Sequence, residues 1–364
     1  MIQSDNPILN IDLKFIYEVI GDKNIKFKES VILVTGCAGF LGYYFLQYFV
    51  RYSQVLGIKK IIALDTFILE KPVWLKELSD KNNILSVYEC DISAVDLNDF
   101  DRVKSVNYVI HAASIASPTF YRKFPLETVD ANIWGLRKLL DFYSNSLNLK
   151  GFIFFSSSEI YGDPHNDFIP TNEEYNGNVS CIGSRACYDE SKRFGETLCW
   201  IYAKSHNMPI TVARPFNNYG PGMRLDDRRL PADFAKAVIQ KQPIEIYSSG
   251  RPTRTFCYIS DAICGYILCL LNTQYDYFNI GADGPEIDVI AMAHIYKNAS
   301  KELFGFDNEV IHKVSLDSAY LENNPNRRCP DISKAKKTLG YNPKITPKEG
   351  VYSYLTFLKN ELKI

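Results

Sequence analysis

Neither sign of charge dominates this chain. Its 364 residues carry 41 Lys+Arg against 42 Asp+Glu, a formal net charge of −1. Without a basic excess there is no electrostatic footprint for a phosphate backbone, so nucleic acid is not expected as a partner. The nine cysteines are an odd number, and none forms a CxxC pair. That argues against a disulfide framework and against a zinc site. The five histidines form neither HxxxH nor HExxH, and no metal is expected. No stretch approaches 18 uncharged apolar residues, so no membrane span is expected. The start, MIQSDNPILNIDLK, has acidic residues where a secretory signal needs a basic start and an apolar run. A reducing, cytoplasmic setting is the expectation. Internal repeats, low-complexity tracts and long Pro/Gly/Ser linkers are also missing.

The remainder is ordinary for a globular protein, with 46% hydrophobic and 23% charged residues. The length suits about two domains at roughly 150 residues each. Residues 11–20 (IDLKFIYEVI) place apolar side chains at helical spacing, predicting a short helix before the main fold. Val31–Thr35 is a continuous apolar run that suits a buried parallel strand. A glycine-bearing turn and an apolar helix over Phe40–Tyr52 follow. Further strands are predicted at Ile61–Asp65, Leu85–Glu89, Tyr108–His111, Phe152–Ser156 and Thr211–Arg214, with a helix over about 185–205. Strands alternating with helices imply an α/β fold with a doubly wound parallel sheet. Prolines 215, 221, 231 and 243 then punctuate shorter elements of a smaller, mixed lobe.

The first strand runs into Thr35-Gly36-Cys37-Ala38-Gly39-Phe40-Leu41-Gly42. This GxxGxxG follows a strand and opens a helix, the context a dinucleotide fingerprint requires. Gly36 permits the tight turn, Gly39 lets backbone approach a pyrophosphate, and Gly42 lets helix and strand pack closely. The helix N-terminus at Phe40 and Leu41 offers free N–H groups to the anion. Asp65 ends the second strand, where a carboxylate can bind ribose hydroxyls and repel a 2′-phosphate, so NAD is expected over NADP. Asp91 and Ile92, after the third strand, are weaker candidates for the adenine edge. A solvated loop or cap is the alternative for Asp91. The fold expected is of Rossmann type.

Tyr188 and Lys192 stand at i and i+4, so on a helix they share one face. A nearby ammonium favours phenolate and lowers a tyrosine pKa, making it a general base near neutrality. The pair follows the fifth strand and its Ser156-Ser157-Ser158-Glu159 end. Open parallel sheets place ligands at such carboxyl ends.

With these residues in place, the chain resembles the extended short-chain dehydrogenase/reductase family of nucleotide-sugar epimerases, dehydratases and decarboxylases. The resemblance covers roughly residues 29–360 and rests on TGCAGFLG, HAAS, FFSSSEIYGDP, YDESK, RPFNNYGP, TRTFCYISD and NRRCPDISKAKKTLGY. It implies a Ser157/Tyr188/Lys192 triad that oxidises a sugar C4 hydroxyl with tightly held NAD. Within the family the decarboxylase branch, acting on nucleotide-linked uronic acids such as UDP-glucuronate, is most similar. Its marks are Ser157-Ser158-Glu159-Ile160-Tyr161-Gly162, Gly183-Ser184-Arg185-Ala186-Cys187-Tyr188-Asp189-Glu190, and Ala116-Ser117-Pro118 with Tyr121.

The resemblance implies C4 oxidation, loss of CO2 from the 4-keto acid, and re-reduction at C4, with no net redox change. Glu159 and Arg254 would shape the carboxylate end and the protonation step. Capping a turn is the alternative for Glu159, and a surface ion pair for Arg254. Ala112, Ala113 and Ser114 would pack along the cofactor, with His111 holding backbone and Asn132 marking the cofactor side or packing helices. Cys187 reads as packing. Ser117, Tyr121, Ser158, Asn217, Arg229, Tyr247 and Arg327 are the further substrate candidates, the arginines because a guanidinium binds phosphate bidentately. The runner-up activities are 4-epimerisation or 4,6-dehydration with the same triad.

Several positions depart from the decarboxylase pattern. Gly220-Pro221-Gly222-Met223 replaces GPRM, and Arg229-Leu230-Pro231-Ala232-Asp233-Phe234 stands where RVVSNF is usual. Asp233 for Asn exchanges a possible donor for an acceptor. Ile68-Leu69-Glu70-Lys71 replaces a Gly/Arg/Lys-rich loop, and the first 28 residues exceed the usual start. The organisation expected is an extension (1–28), an NAD domain (29–214 with about 256–282), and a nucleotide-sugar lobe (215–255 and 283–364). A homodimer through a four-helix bundle of helices about 121–147 and 185–205 is also implied. A role in polysaccharide biosynthesis is a family-level expectation.

Overall fold

The computed structural model describes residues 6–314 and 325–364. The first five residues of the extension and positions 315–324 of the sugar lobe lie outside the described residues. Helix α1 spans Pro7–Ile20, starting earlier than the apolar spacing suggested. Asn6 caps it by accepting from the Ile8 N–H, and proline occupies its first turn, where a missing N–H costs nothing. This extension is no appendage. Leu9, Leu13, Ile16 and Ile20 are buried in the main core, and Asp12 is buried with them.

The main sheet contains β1 (Val31–Thr35), β2 (Lys60–Asp65), β3 (Leu85–Glu89), β4 (Tyr108–His111), β5 (Gly151–Phe155) and β6 (Ile210–Pro215). A seventh strand, Asp276–Ile280, joins beyond β6. The spatial order runs from that strand through β6, β5, β4, β1 and β2 to β3, with every pairing parallel. Chain order reverses between β1 and β4, which opens a crevice at the carboxyl ends of those strands. The predicted strands thus fall within a residue or two of their observed bounds.

Both faces of the sheet are covered, which is why β1 reads as an unbroken apolar run. Ile32 and Val34 join the core under helix α2 (Phe40–Leu56), while Val31 and Leu33 join the core on the opposite face. Helix α2 runs four residues past its predicted end and stops at Gly57, whose φ of 67° suits glycine. Helices α3 (Val73–Asp80), α4 (Pro118–Lys123), α5 (Pro125–Val129), α6 (Leu136–Tyr143) and α7 (Ala186–His206) complete this part.

The second lobe starts with β7 (Asn218–Tyr219) and helix α8 (Leu230–Ile239), followed by β8 (Ile244–Ile246), β9 (Thr253–Arg254) and β10 (Cys257–Tyr258). The chain then returns to the main sheet through α9 (Ile259–Leu270), whose twelve residues are all buried. Asp261 in that helix is tied down by the N–H groups of Lys344 and Ile345 at 2.9 and 2.7 Å. With the seventh strand named β11 (Asp276–Ile280), the chain crosses back through β12 (Ile287–Asp288), helix α10 (Val289–Phe304) and β13 (Val310–His312). Strand β14 (Arg327–Arg328) pairs with β9, and α11 (Ser333–Leu339) and α12 (Pro347–Leu362) close the chain. Among the described residues no helix is long and apolar enough to cross a membrane.

Candidate active site

The β1–α2 turn forms the floor of the crevice. A Cβ on Gly36, whose φ is +70°, would lie 2.5 Å from the Ala112 carbonyl oxygen, so only glycine lets the β1 and β4 ends approach this closely. A Cβ on Gly42 would lie 2.5 Å from the carbonyls of Gly36 and Cys37. Helix α2 has no side-chain cap on its first turn, which leaves N–H donors for an anion. Asp65 accepts from the Ala38 and Phe67 N–H groups, both at 2.9 Å, and its carboxylate is fixed beside the turn. This cradle fits a dinucleotide.

Two contiguous cavities meet above it and share Gly36, Gly39, Phe40, Ala112, Ser114 and Arg229. The first extends past Leu41 and Gly42 to β5 and α7; the second is walled by Asp65, Asp91, Ile92, Ala113 and Ser117. Asp91 also accepts from the N–H and hydroxyl of Ser93, the turn-capping alternative raised for it. His111 joins β4 to β1 through Nδ1 and the Thr35 hydroxyl, 2.8 Å apart. Burial lowers its pKa to about 3, so it is neutral and positional.

Ser157, Ser158, Glu159, Tyr188 and Lys192 all line the first cavity. Tyr188 hydrogen-bonds Ser157, and its ring stacks on Tyr121 with centroids 5.1 Å apart at 11°. Lys192 Nζ donates to the Phe155 carbonyl at 2.7 Å and lies 5.6 Å from the Tyr188 ring centroid. The expected lowering of the Tyr188 pKa is not found. Burial pushes it up to about 12, while the Ser157 hydrogen bond and the Arg229 charge pull the other way. Burial also lowers Lys192 to about 7, which weakens the ammonium that was to help Tyr188.

The wall beside the triad holds a buried ionic chain. Arg328 grips Glu159 bidentately at 2.6 and 2.7 Å, and Arg185 reaches the same carboxylate at 2.6 Å. Arg185 also lies 3.6 Å from Asp189. Burial alone would raise the Glu159 pKa, but the two arginines hold it well below the usual carboxylate range. Arg254 joins this wall and donates to the carbonyls of Thr253 and Asn326. Burial and the charge of Arg328 lower its pKa to about 9. Arginine charge is therefore crowded beside the triad.

Three sequence candidates stand elsewhere. Arg327 does not line either cavity; it pairs bidentately with Glu286 at 3.0 and 2.8 Å. Successive strand residues face opposite sides, so in β14 it is Arg328 that turns to the cavity. Asn132 is fully buried and donates to the Ser191 hydroxyl at 2.9 Å, the helix-packing alternative. Ser117 spends its hydroxyl on the Asp227 carbonyl at 2.6 Å and borders the second cavity. Asn217, Arg229 and Tyr247 line the first cavity as expected. Cys187 is a packing residue whose thiol lies 3.6 Å from the Tyr121 carbonyl. Sequence reasoning assigned no role to Arg185 or Arg328, although both lie inside motifs it singled out. Arg185 sits three residues before Tyr188, one helical turn away, which was the available signal.

The NAD dependent epimerase/dehydratase family profile matches residues 32–281. The chain belongs to that family. It is 33% identical over 341 residues to UDP-glucuronic acid decarboxylase 1 of Arabidopsis thaliana, covering 92% of this chain and 71% of that protein. It is 30% identical over 332 residues to UDP-glucuronic acid decarboxylase 1 of Xenopus tropicalis, covering 91% and 73%. Among solved structures it is similar to a UDP-glucuronic acid 4-epimerase from Bacillus cereus in complex with UDP-glucuronic acid and NAD, with a TM-score of 0.72 and 26% identity over 91% of this chain and 99% of that one. A dTDP-glucose 4,6-dehydratase from Streptomyces venezuelae, at TM-score 0.77 and 19% identity over 92% and 98%, shares the fold. This member of the epimerase/dehydratase family is thus an NAD-dependent nucleotide-sugar enzyme.

Proposed function

We propose that this family member decarboxylates a nucleotide-linked uronic acid, UDP-glucuronate first. The observation that carries the reading is the arginine-rich wall of Arg185, Arg254 and Arg328 around Glu159, beside Ser157 and Tyr188. Three guanidinium groups stand around the one Glu159 carboxylate on this wall, an excess of positive charge that a uronate carboxylate would meet in charge-assisted hydrogen bonds and a neutral hexose would not balance.

NAD, when bound, supplies reversible hydride acceptance from the sugar C4. Tyr188 takes the C4 hydroxyl proton as a phenolate, a state that the positive charge of bound NAD would favour against the burial that raises its pKa, and Ser157 donates to the oxygen as it becomes a carbonyl. Lys192 lies on the same helix face, where burial lowers its pKa to about 7 and leaves it only partly charged near neutrality. The resulting 4-keto acid is a β-keto acid, so CO2 leaves with its bonding electrons passing to the new ketone. Tyr188 and Ser157 then stabilise the enolate oxygen. Glu159 and Arg254 stand where C5 protonation is controlled, and Asn217 and Arg229 where phosphates bind. C4 is re-reduced in the last step.

The return of α9 and β11 to the main sheet supports the division into an NAD domain (29–214 with 256–282) and a sugar lobe (215–255 with 283–364). A second copy is the proposed partner. Trp134 on the Asp130–Gly135 segment and Phe194 and Trp200 on α7 are 56%, 48% and 52% exposed, a large apolar display on the helices expected to pair. Trp200→Glu should convert a sedimenting dimer into a monomer. A cytoplasmic role supplying a sugar for polysaccharide assembly completes the reading.

The deciding experiment incubates the purified protein with UDP-glucuronate and NAD and reads nucleotide-sugar masses. Loss of CO2 is the expected result. An unchanged mass with a new isomer would instead favour 4-epimerisation, the activity named for the Bacillus cereus structure. An unchanged substrate would reject UDP-glucuronate.

A further inference from the structure

Beyond the triad and the arginine wall, the first cavity is bounded by the start of α8 and the end of β8. Asp233 stands there on the first turn of α8, with Phe234 beside it and Glu245 and Tyr247 from β8 on the same cavity. Both carboxyl oxygens of Asp233 are buried, and among the described residues no hydrogen bond reaches either. Arg228 Nη1 lies 3.9 Å from Oδ1, beyond hydrogen-bonding distance. An acid in a first helical turn is favoured by the helix dipole, but a hydrated carboxylate serves that purpose as well. The dipole therefore does not explain why both oxygens are buried without a partner among the described residues. A group that completes them on ligand binding does.

This step rests on the nucleotide-sugar reading above. With the sugar at the triad and the phosphates beside Asn217 and Arg229, the base is left to the wall formed by α8 and β8. We propose that Asp233 reads the edge of the nucleobase, and that recognition of uracil there is coupled to protonation of its carboxyl.

Uracil presents two carbonyl oxygens flanking one ring N–H. An ionised carboxylate can accept from that N–H, but its second oxygen then faces a flanking carbonyl with no proton between them. A neutral carboxylic acid offers one O–H and one C=O, the same donor and acceptor pair as the amide of the Asn usual in decarboxylases. The charged and titratable groups facing Asp233 are Asp227 and Arg228 ahead of α8, Lys236 within it, and Glu245 with Tyr247 on β8. Glu245 is itself occupied by the Tyr247 hydroxyl and by Lys313. Burial favours the proton on Asp233, Arg228 and Lys236 oppose it, and Asp227 and Glu245 favour it, with the result that its pKa rises to about 6. Uracil recognition should be present below that point and fade as pH rises through it.

The test is calorimetric titration of the NAD-loaded protein with UDP-glucose over roughly pH 5–8. This probe has no ionisable phosphate near neutrality and no sugar carboxylate. Affinity should fall with rising pH, approaching about tenfold per pH unit on the alkaline side. Asp233→Asn should bind with constant affinity across the range. Glu245→Gln, which removes a neighbouring negative charge, should move the midpoint to lower pH, and it serves as the test if Asp233→Asn does not fold. A pH-independent wild type, a wild-type slope in Asp233→Asn, or no binding of UDP-glucose at any pH overturns the proposal. A protein that shows the predicted slope yet leaves UDP-glucuronate unconverted keeps this assignment and loses the decarboxylase reading.

Discussion

Arg328 holds Glu159 through both terminal nitrogens, while its neighbour Arg327 holds Glu286 through Nε and one terminal nitrogen. Two adjacent arginines thus each make a bidentate carboxylate pair, on opposite sides of one short strand. The Glu159 pair is desolvated, with side chains 9% and 19% exposed, whereas the Arg327 side chain is 40% exposed. Bidentate pairing carries different weight when only one of the two arginines is out of water.

That contrast is testable in a matched pair of variants. Arg328→Ala leaves Glu159 with Arg185 alone and should cost about 3–5 kcal/mol of stability, as expected for breaking a buried ion pair. It should also abolish CO2 release. Arg327→Ala should cost about 1 kcal/mol or less, as for exposed pairs, and leave turnover near wild type. Thermal unfolding and CO2 release measured on both variants check this. Equal effects of the two substitutions would remove the special place given to Arg328.

Tyr188→Phe removes one hydroxyl and keeps the ring on Tyr121. Turnover should fall by about 10²–10⁴-fold, the usual contribution of a positioned acid–base group. NAD binding and thermal stability should stay near wild type, because the stacked ring is retained. Retention of activity would remove Tyr188 from the chemistry. In the NAD-free protein, ultraviolet titration should find no tyrosinate at Tyr188 near neutrality, since burial holds its pKa near 12.

The sheet was legible because each strand is either an unbroken apolar run or closely bounded by turn residues, so Leu85–Glu89 and Tyr108–His111 were read to the residue. The glycine turn was legible because close approach admits no substitute for Gly36. Helix α1 was read late because its start is set by the Asn6 cap and a first-turn proline, not by apolar spacing. The arginines were harder. Choosing Arg328 over Arg327 requires knowing which face of β14 meets the cavity, and a two-residue strand has no hydrophobic pattern to reveal it. The Tyr188 pKa was misjudged because spacing reports the neighbouring Lys192 but is silent on burial, which dominates both groups.

Gly36→Ala tests the cradle. The new Cβ would lie 2.5 Å from a backbone oxygen that cannot move away cheaply, and the φ of +70° adds strain. A loss of about 1–3 kcal/mol is expected for a non-glycine residue held there. NAD affinity should drop with it, because relief of the clash separates the β1 and β4 ends that form the site. Fluorescence titration with NAD reports this directly. Gly340→Ala is the control, since a Cβ there meets nothing within 4 Å although φ is +75°. It should show the backbone strain without the loss of NAD affinity.

The N-terminal extension carries its own pH signature. Asp12 on α1 accepts from the Tyr44 and Tyr258 hydroxyls at 2.6 and 2.9 Å, deep in the core. Burial raises its pKa to about 7, against the pull of those two hydrogen bonds. The folded state therefore holds a proton that the unfolded chain releases near pH 4. Where the native state binds more protons, stability falls as pH rises. The contribution from Asp12 is full below about pH 4 and is lost progressively up to about pH 7. At about 1.4 kcal/mol per pKa unit this amounts to a few kcal/mol. Asp12→Asn keeps an acceptor for one tyrosine hydroxyl and cannot ionise. Its melting temperature should lose the wild-type decline over that window and exceed wild type at pH 7 and above. A decline unchanged in the variant would place the titrating group elsewhere.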